Sequence, residues 1–383
     1  MFSINGKDKR IGVAVGDFII DLRKAYVLGV FDELDLQNTL LSDTLNPFIS
    51  LGKSITNKVR PILQKELCSE GLLKKHADEL LVKQSDVQMH VPVVIGDYTD
   101  FYSSKEHATN VGAIFRDKEN ALPPNWLHLP IAYHGRSSSI KISGTDIHRP
   151  QGQVMTSEGR PVLALTKSLD FELEMAFVIG KTTNSGEQVP VAKAEEYIFG
   201  MVLFNDWSAR DIQRWEYQPL GPFLAKNFAS TISPWIVTME ALEPFRTKSP
   251  EQKKVLDYLK DNRNTTFDIQ LQVILKIKEQ EFVITKSNFK YLYWSMAQQL
   301  AHHTINGCNI NVGDVMASGT ISGADEDAKA CLLEITEGKK KLELSAGISR
   351  MFLENGDEII LKAWAEKDGI RVGFGEASGK IIA

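Results

Sequence analysis

Asp170, Glu172 and Glu174 alternate with Phe171, Leu173 and Met175 in this chain of 383 residues. In an extended strand successive side chains point to opposite faces, so the three carboxylates share one face and the apolar residues the other. Carboxylates crowded in this way repel by about 1–4 kcal/mol per close pair at the dielectric of a protein surface. A strand face open to water relieves that repulsion, and so does an oxygen-seeking cation such as Ca²⁺ or Mg²⁺. Taken alone, the alternation fits both. A cation held there would polarise a carbonyl oxygen brought to it.

Further polar residues cluster elsewhere. The apolar run Ile198–Phe204 leads into Asn205–Tyr217, which reads as a buried strand followed by a helix. On that helix Asp206, Arg210, Gln213 and Tyr217 fall at i, i+4, i+7 and i+11, a single polar stripe. An exposed Asp206–Arg210 pair worth a few tenths of a kcal/mol is the plain interpretation. Trp207, Ile212 and Trp215 compete for the buried sides, however, and leave the helix little surface to spare. The segment Thr99–His107 offers a carboxylate (Asp100), a phenol (Tyr102) and an imidazole (His107). His107 suits a general base because an unperturbed imidazole titrates near physiological pH. His302-His303 sits late in a predicted helix, where the dipole favours a structural role. The loops Leu220–Lys226 and Ala317–Gly323 can bring backbone N–H groups or hydroxyls close to a ligand, although each is also an ordinary turn. There is no H-E-x-x-H pair and no G-x-S-x-G elbow, and Gly373-Phe-Gly375 lacks the third glycine of a dinucleotide fingerprint.

The surrounding elements follow from period and turn chemistry. Ile11–Val15 and Phe18–Leu22 flank Gly16-Asp17, a two-residue hairpin connection. Asn46-Pro47 predicts an N-cap and first-turn proline, followed by a helix through Phe48, Ile55, Val59 and Ile62 that breaks or kinks at Pro61. A second helix is expected over Glu70–Val82. This defines a small N-terminal domain over residues 1–91, with a catalytic domain over 92–383. In the latter, Thr265–Ile277 alternates and Glu281–Thr285 returns beside it. A helix is expected from Ser287 to a stop at Gly307, a hairpin at Asn355-Gly356 and another turn at Lys367–Gly369. Many strands and few helices make the chain α+β and β-rich.

Composition sets limits. At 43% hydrophobic and 24% charged, with net charge −5 and pI near 6.0, the chain has no basic field for nucleic acid. No apolar stretch approaches the roughly 18 residues of a membrane span, and the N-terminus lacks the apolar segment of a signal peptide. Three widely spaced cysteines, Cys68, Cys308 and Cys331, suit a reducing compartment. The expectation is a cytoplasmic protein with a small-molecule substrate.

The runs Ile95–Ser104, His107–Gly112, Asn125–Pro130, Tyr133–Arg136, Asn205–Gln213 and Ala317–Gly323 together resemble the fumarylacetoacetate hydrolase family, and the likeness extends from the Arg10–Val15 hairpin to Arg371–Gly375. The resemblance implies a small N-terminal SH3-like barrel with helices, then a large mixed β-sandwich roll, assembled as a homodimer. It implies Ca²⁺ held by Asp100, Glu172, Glu174 and Asp206, and Mg²⁺ near Asp206, Lys226 and Ser230. The family carries a threonine at the Ser230 position, so the hydroxyl is retained. His107 would be the general base with Glu334 as its orienting partner. Arg210, Gln213 and Lys226 would stabilise developing charge, while Tyr102, Arg116, Tyr133, Gln213, Tyr217 and Thr320 would contact substrate. The implied reaction is hydrolysis of the carbon–carbon bond of a diketo acid, 4-fumarylacetoacetate, in tyrosine and phenylalanine catabolism. Hydrolysis of a simpler acylpyruvate or decarboxylation of a related keto acid at the same metal, a non-catalytic Ca²⁺-dependent binding or scaffold protein, and a metal-dependent phosphodiesterase are the competing readings.

Overall fold

The computed structural model describes residues 1–68, 70–115, 119–345 and 347–383. The first hairpin forms as its turn dictates: Gly12–Val15 pairs with Phe18–Asp21, Val15 faces Phe18, and Gly16 adopts φ +54°. Leu81–Lys83 extends it to three strands, and Phe2–Ile4 lies between Lys7–Arg10 and Gln88–Met89 in a second small sheet.

The helical part departs from the expectation in three places. Asn46–Ile49 is a single turn, closed off before Gly52 at φ +77°, and the main helix is Lys53–Cys68. The Asn46 side chain does not cap. Its carbonyl accepts from Val94 N, and its amide donates to the carbonyls of Val94 and Val312, tying this turn to the rest of the chain. Pro61 does not end its helix. The ring removes one hydrogen bond, but Val59 and Leu63 are buried on either side of it and packing carries the helix through. The expected helix over Glu70–Val82 is two short turns, Leu72–Lys75 and Ala77–Leu80, followed by the strand from Leu81, because Leu81 and Val82 pair with Ile20 and Ile19.

A large mixed sheet follows. Its order is Ala132–His134, Tyr98–Phe101, Val315–Ala317, Leu173–Ile179, Ile198–Asp206, Ser230–Ile232 and Ile140–Ile142, with Val237–Thr238 also paired to Ile198–Asp206. Leu173–Ile179 and Ile198–Asp206 are buried along their full length, which is why Ile198–Phe204 reads as a continuous apolar run. Leu173, Met175, Phe177, Met201 and Leu203 face a core shared with a five-stranded sheet. That sheet runs in the order Ile147–His148, Ile370–Ile382, Asp357–Lys367, Gln270–Ile277, Gln280–Asn288. Ala176, Val178, Val202 and Phe204 turn the other way and pack with Ile20, Phe48 and Leu63 of the N-terminal region.

Ser287 and Asn288 belong to a strand, paired with Leu271 and Gln270; the helix begins at Met296 under a Ser295/Gln298 capping box. Asn355-Gly356 makes no hairpin. Asp357–Lys367 takes its partners from Gln270–Ile277 and Ile370–Ile382, while Arg149 donates to Asn355 Oδ1 and to the Leu353 carbonyl and holds the preceding segment off the ladder. The turn at Lys367–Gly369 does form, with Asp368 and Gly369 both at positive φ.

Candidate metal centre and active site

Strand register builds the acidic centre. Asp100 lies opposite Ala317, Ala317 opposite Ala176, Glu174 opposite Phe204 and Asp206 opposite Ser230. With a period of two, Asp100, Glu174 and Asp206 share the face that also carries Ala176 and Phe204. Leu173 pairs with Asn205, so one further step sets Glu172 against Asp206; Glu172 N donates to Asn205 Oδ1 at 3.0 Å. One oxygen from each of Asp100, Glu172, Glu174 and Asp206 lies within 4.8 Å of the others, and all four residues are buried. Asp170 does not join them. The strand is interrupted at Phe171-Glu172, and Leu169–Asp170 pairs instead with Ser208–Ala209, which turns the Asp170 carboxylate towards Arg210 and the helix Leu332–Thr336.

Two cations enter the cluster. Lys226 Nζ is 2.5 Å from Glu172 Oε2 and 2.9 Å from Asp206 Oδ2, and Arg210 Nη1 donates to Glu172 Oε1 at 2.8 Å. Tyr133 donates to Asp206 Oδ2 at 2.6 Å, Tyr98 to Asp100 Oδ2 at 3.0 Å, Ser230 to Asp206 Oδ1 at 3.1 Å and Gly319 N to Glu174 Oε2 at 3.1 Å. Among the described residues, Asp100 Oδ1 and Glu174 Oε1 are buried with no hydrogen-bond partner. Burial, reinforced by Asp206, pushes the Asp100 carboxyl well above the usual range; burial, with Asp100 and Glu172, does the same to Glu174. Burial acts on Glu172 too, but Lys226 and Arg210 outweigh it and hold that carboxyl well below its ordinary value. Leaving a buried acceptor unmade costs about 1–3 kcal/mol, more when it is charged. An oxygen-only donor set with two unpartnered carboxylate oxygens fits a hard divalent cation.

Asp206 ends its strand, so it is not on the helix that carries Arg210 and Gln213; that helix is Arg210–Glu216, with Tyr217 at its C-cap. Arg210 therefore reaches Asp170, Glu172 and, at 3.1 Å, Gln213 Oε1, and makes no pair with Asp206. Tyr217 stacks near Phe115, ring centroids 6.2 Å apart. A cavity of about 360 Å³ opens beside Lys226 and is lined also by Tyr98, Tyr133, Arg136 and Phe223.

His107, on the helix Lys105–Phe115, places Nδ1 2.6 Å from Glu334 Oε2, with both side chains buried. The carboxylate partner assigns the tautomer: Nδ1–H donates, and the Nε2 lone pair is left to accept a proton. Glu334 also accepts from Asn110 at 3.0 Å, Ser322 at 2.8 Å and Cys331 Sγ at 3.3 Å. Burial works against its charge, but His107, Asn110 and Ser322 pull its carboxyl down to about 2. A protonated His107 would help to hold the Glu172 carboxyl down, as a group lying near that end of the acidic cluster does. The Tyr102 ring meets His107 edge-on at 5.4 Å. Thr320 is buried with Oγ1 unpartnered among the described residues. It follows Gly319, at φ +75°, where a Cβ would lie 2.2 Å from the Phe101 carbonyl oxygen. His302 lies 3.0 Å from the Tyr258 hydroxyl and His303 2.9 Å from that of Thr99, in the last turn of the helix Met296–Thr304. Arg116 lies outside the described residues. Sequence reasoning passed over Tyr98, although it stands two residues before Asp100 on the same strand face, and Asn110, one helical turn after His107. Ser322 lies within the Ala317–Gly323 loop and Asn205 opens the Asn205–Gln213 run, but nothing local singles out either residue.

The class this fold and site define is confirmed by comparison: the chain belongs to the fumarylacetoacetate hydrolase family. The family model "Fumarylacetoacetate (FAA) hydrolase C-terminal" matches residues 97–380, and "Fumarylacetoacetase N-terminal" matches residues 1–92. The chain is 50% identical to the fumarylacetoacetase of Bos taurus and 49% identical to that of Homo sapiens, in each case across 100% of this chain and 94% of the relative. The Arabidopsis thaliana fumarylacetoacetase is 49% identical across 97% of this chain and 91% of its own. The solved fumarylacetoacetate hydrolase from psychrophilic Exiguobacterium antarcticum shares the fold, with TM-score 0.57 at 17% identity over 100% of this chain and 98% of that one.

Proposed function

We propose that this chain hydrolyses the carbon–carbon bond of 4-fumarylacetoacetate to fumarate and acetoacetate, the last step of tyrosine and phenylalanine catabolism. The relatives' names and their full-length identity support the activity. The observation that carries the chemistry is the buried His107–Glu334 pair beside four converging carboxylates. Asp100, Glu172, Glu174 and Asp206 would hold Ca²⁺, and Mg²⁺ would sit by Asp206, Lys226 and Ser230. When bound, such a cation polarises the diketone oxygens and offsets negative charge.

His107 Nε2 takes a proton from water, and Glu334 steadies the resulting imidazolium. The hydroxide so formed adds to the carbonyl, and collapse of the tetrahedral adduct breaks the carbon–carbon bond. Arg210, Gln213 and Lys226 stabilise the negative charge that develops on the leaving enolate, which takes back at carbon the proton held on the His107 imidazolium and departs as acetoacetate. Tyr102, Arg116, Tyr133, Tyr217 and Thr320 orient the substrate, and Gln213 also contributes there.

A homodimer is supported by large apolar side chains left exposed: Leu163 on the hairpin Gln151–Leu165, and Leu220 and Phe223 on the loop before Lys226, are 71%, 95% and 65% exposed. A cytoplasmic location accords with cysteines that form no disulfide among the described residues. No helix among those residues is long and apolar enough to cross a membrane.

The test is loss of diketone absorbance in the ultraviolet, with and without chelator, for the parent chain and His107→Ala. Turnover should fall by about 10²–10⁴ in the variant, while calorimetric Ca²⁺ binding persists. A fully active His107→Ala protein overturns the assignment.

A further inference from the structure

Asp170 is a fully buried carboxylate outside the acidic nest, and it is saturated. Oδ1 accepts from Phe171 N at 2.8 Å and Leu332 N at 2.7 Å; Oδ2 accepts from Arg210 Nε at 2.9 Å and Leu333 N at 3.0 Å. These donors belong to different parts of the site. Leu332 and Leu333 open the helix Leu332–Thr336, which carries Glu334. Arg210 opens the helix Arg210–Glu216 and reaches Glu172 and Gln213 through Nη1. Phe171 N belongs to the link that leads directly to Glu172. One carboxylate thus spans the proton-accepting side of the site, the charge-stabilising side and the strand bearing a metal ligand.

We infer that Asp170 is a positioning residue for the hydrolysis, setting the distance between the His107–Glu334 pair and the Arg210 guanidinium by holding both supporting helices on a single carboxylate. The inference rests on the reading given under Proposed function. The geometry leaves no neutral substitute. In Asp170→Asn one oxygen becomes an NH₂ donor, and each oxygen now accepts from two N–H groups, so either amide orientation sets donor against donor. Rotating the amide moves the conflict from the Arg210 side to the Leu332 side and cannot remove it. Asp170→Ser keeps a hydroxyl able to accept from one helix N–H, as capping serines do, but cannot reach Arg210 and the helix together. Both variants leave Glu172, Glu174, Asp100 and Asp206 untouched.

The experiment measures diketone cleavage by the whole chain, with turnover normalised to calorimetrically counted Ca²⁺ sites so that only folded protein is scored. Parent, His107→Ala, Asp170→Asn, Asp170→Ser, Glu334→Gln and the double variant Asp170→Asn/Glu334→Gln are compared. A displaced catalytic geometry predicts a fall in kcat of about 10–100-fold in both Asp170 single variants, with KM much less affected. Because Asp170 acts in part through the Glu334 helix, Asp170→Asn should cost clearly less once Glu334 is already Gln than it does in the parent, the remainder being the share carried by Arg210. Equal losses in the two backgrounds, parental kcat in the Asp170 variants, or loss of Ca²⁺ binding in both of them overturn the inference. An inactive parent chain would instead overturn the function on which it rests.

Discussion

Two buried groups of titratable side chains lie close together in this molecule and are solved in opposite ways. Around Glu334, every carboxylate oxygen is filled: Asn110 serves Oε1, and His107, Ser322 and Cys331 serve Oε2. Around Asp100 and Glu174, two oxygens face one another's charge with no hydrogen-bond donor among the described residues. The first arrangement is complete with protein atoms alone and keeps its carboxyl ionised. The second is a low-dielectric concentration of negative charge that Lys226 and Arg210 offset only in part. Saturation marks a group built to orient a neighbour; deficit marks a place built for a cation.

Removing the cation should have the largest effect, because the deficit cluster has no other remedy. Chelation is expected to lower diketone turnover by at least about 10³, several kcal/mol of lost charge stabilisation, and added Ca²⁺ should restore it. Activity unaffected by chelator would erase the contrast between the two clusters. Glu334→Gln strikes the saturated side: the amide can no longer fix the Nδ1–H tautomer, and kcat should drop by about 10²–10⁴ while the Ca²⁺ isotherm stays unchanged. Ser322→Ala removes one donor of several. It should cost about 1.5–3 kcal/mol in urea unfolding, as for a hydrogen bond to a charged group, with a smaller effect on turnover.

The clusters should also respond to acid with opposite sign. Glu334 is held down, from 4.5 to about 2. Its stabilising contribution is therefore complete above pH 4.5 and is lost as pH falls towards 2. Asp100 and Glu174 are pushed up, so in chelated protein their contribution is most favourable below the ordinary carboxylate range and is lost as pH rises. Urea unfolding of chelated protein from pH 7 to 3, run beside Glu334→Gln, separates the two trends; parallel curves for the parent and Glu334→Gln would contradict the first. The smallest expected effect is at the surface. On the proposed homodimer, the parent chain should scatter light as a dimer and Leu163→Asp with Phe223→Asp as a monomer, with Ca²⁺ binding intact; a monomeric parent would overturn the dimer.

Much of this site is legible in the sequence because its parts are local and periodic. The strand alternation exposes Glu172 and Glu174 as neighbours, and Thr99–His107 sets Asp100 and His107 seven residues apart. Where expectation failed, long-range contacts prevailed over a local pattern. Asp206 reads as the start of a helical stripe but ends a strand, because Ser230 pairs with it and the ladder runs two residues past the apolar run. Asp170 reads as the first of three equivalent acids, yet Ser208 and the helix Leu332–Thr336, distant in sequence, draw it away. At Asn355-Gly356 the turn forms, with Gly356 at φ +92° and Asp357 N donating to the Glu354 carbonyl, but the strand after it pairs with Gln270–Ile277 and Ile370–Ile382 rather than with the segment before it.

By itself the sequence determined the chemistry available: oxygen donors in excess, an imidazole free of zinc-ligand spacing, and the hairpins at Gly16 and Gly369, whose positive-φ turns only a few residue types accept. Tertiary structure alone decided which acids meet. Asp100, Glu174 and Asp206 converge because separate strands of one sheet bring them into neighbouring register on one face, and Glu334 reaches His107 across 227 positions of chain. Register and helix placement depend on burying both faces of that sheet at once, a condition that no local window of residues contains.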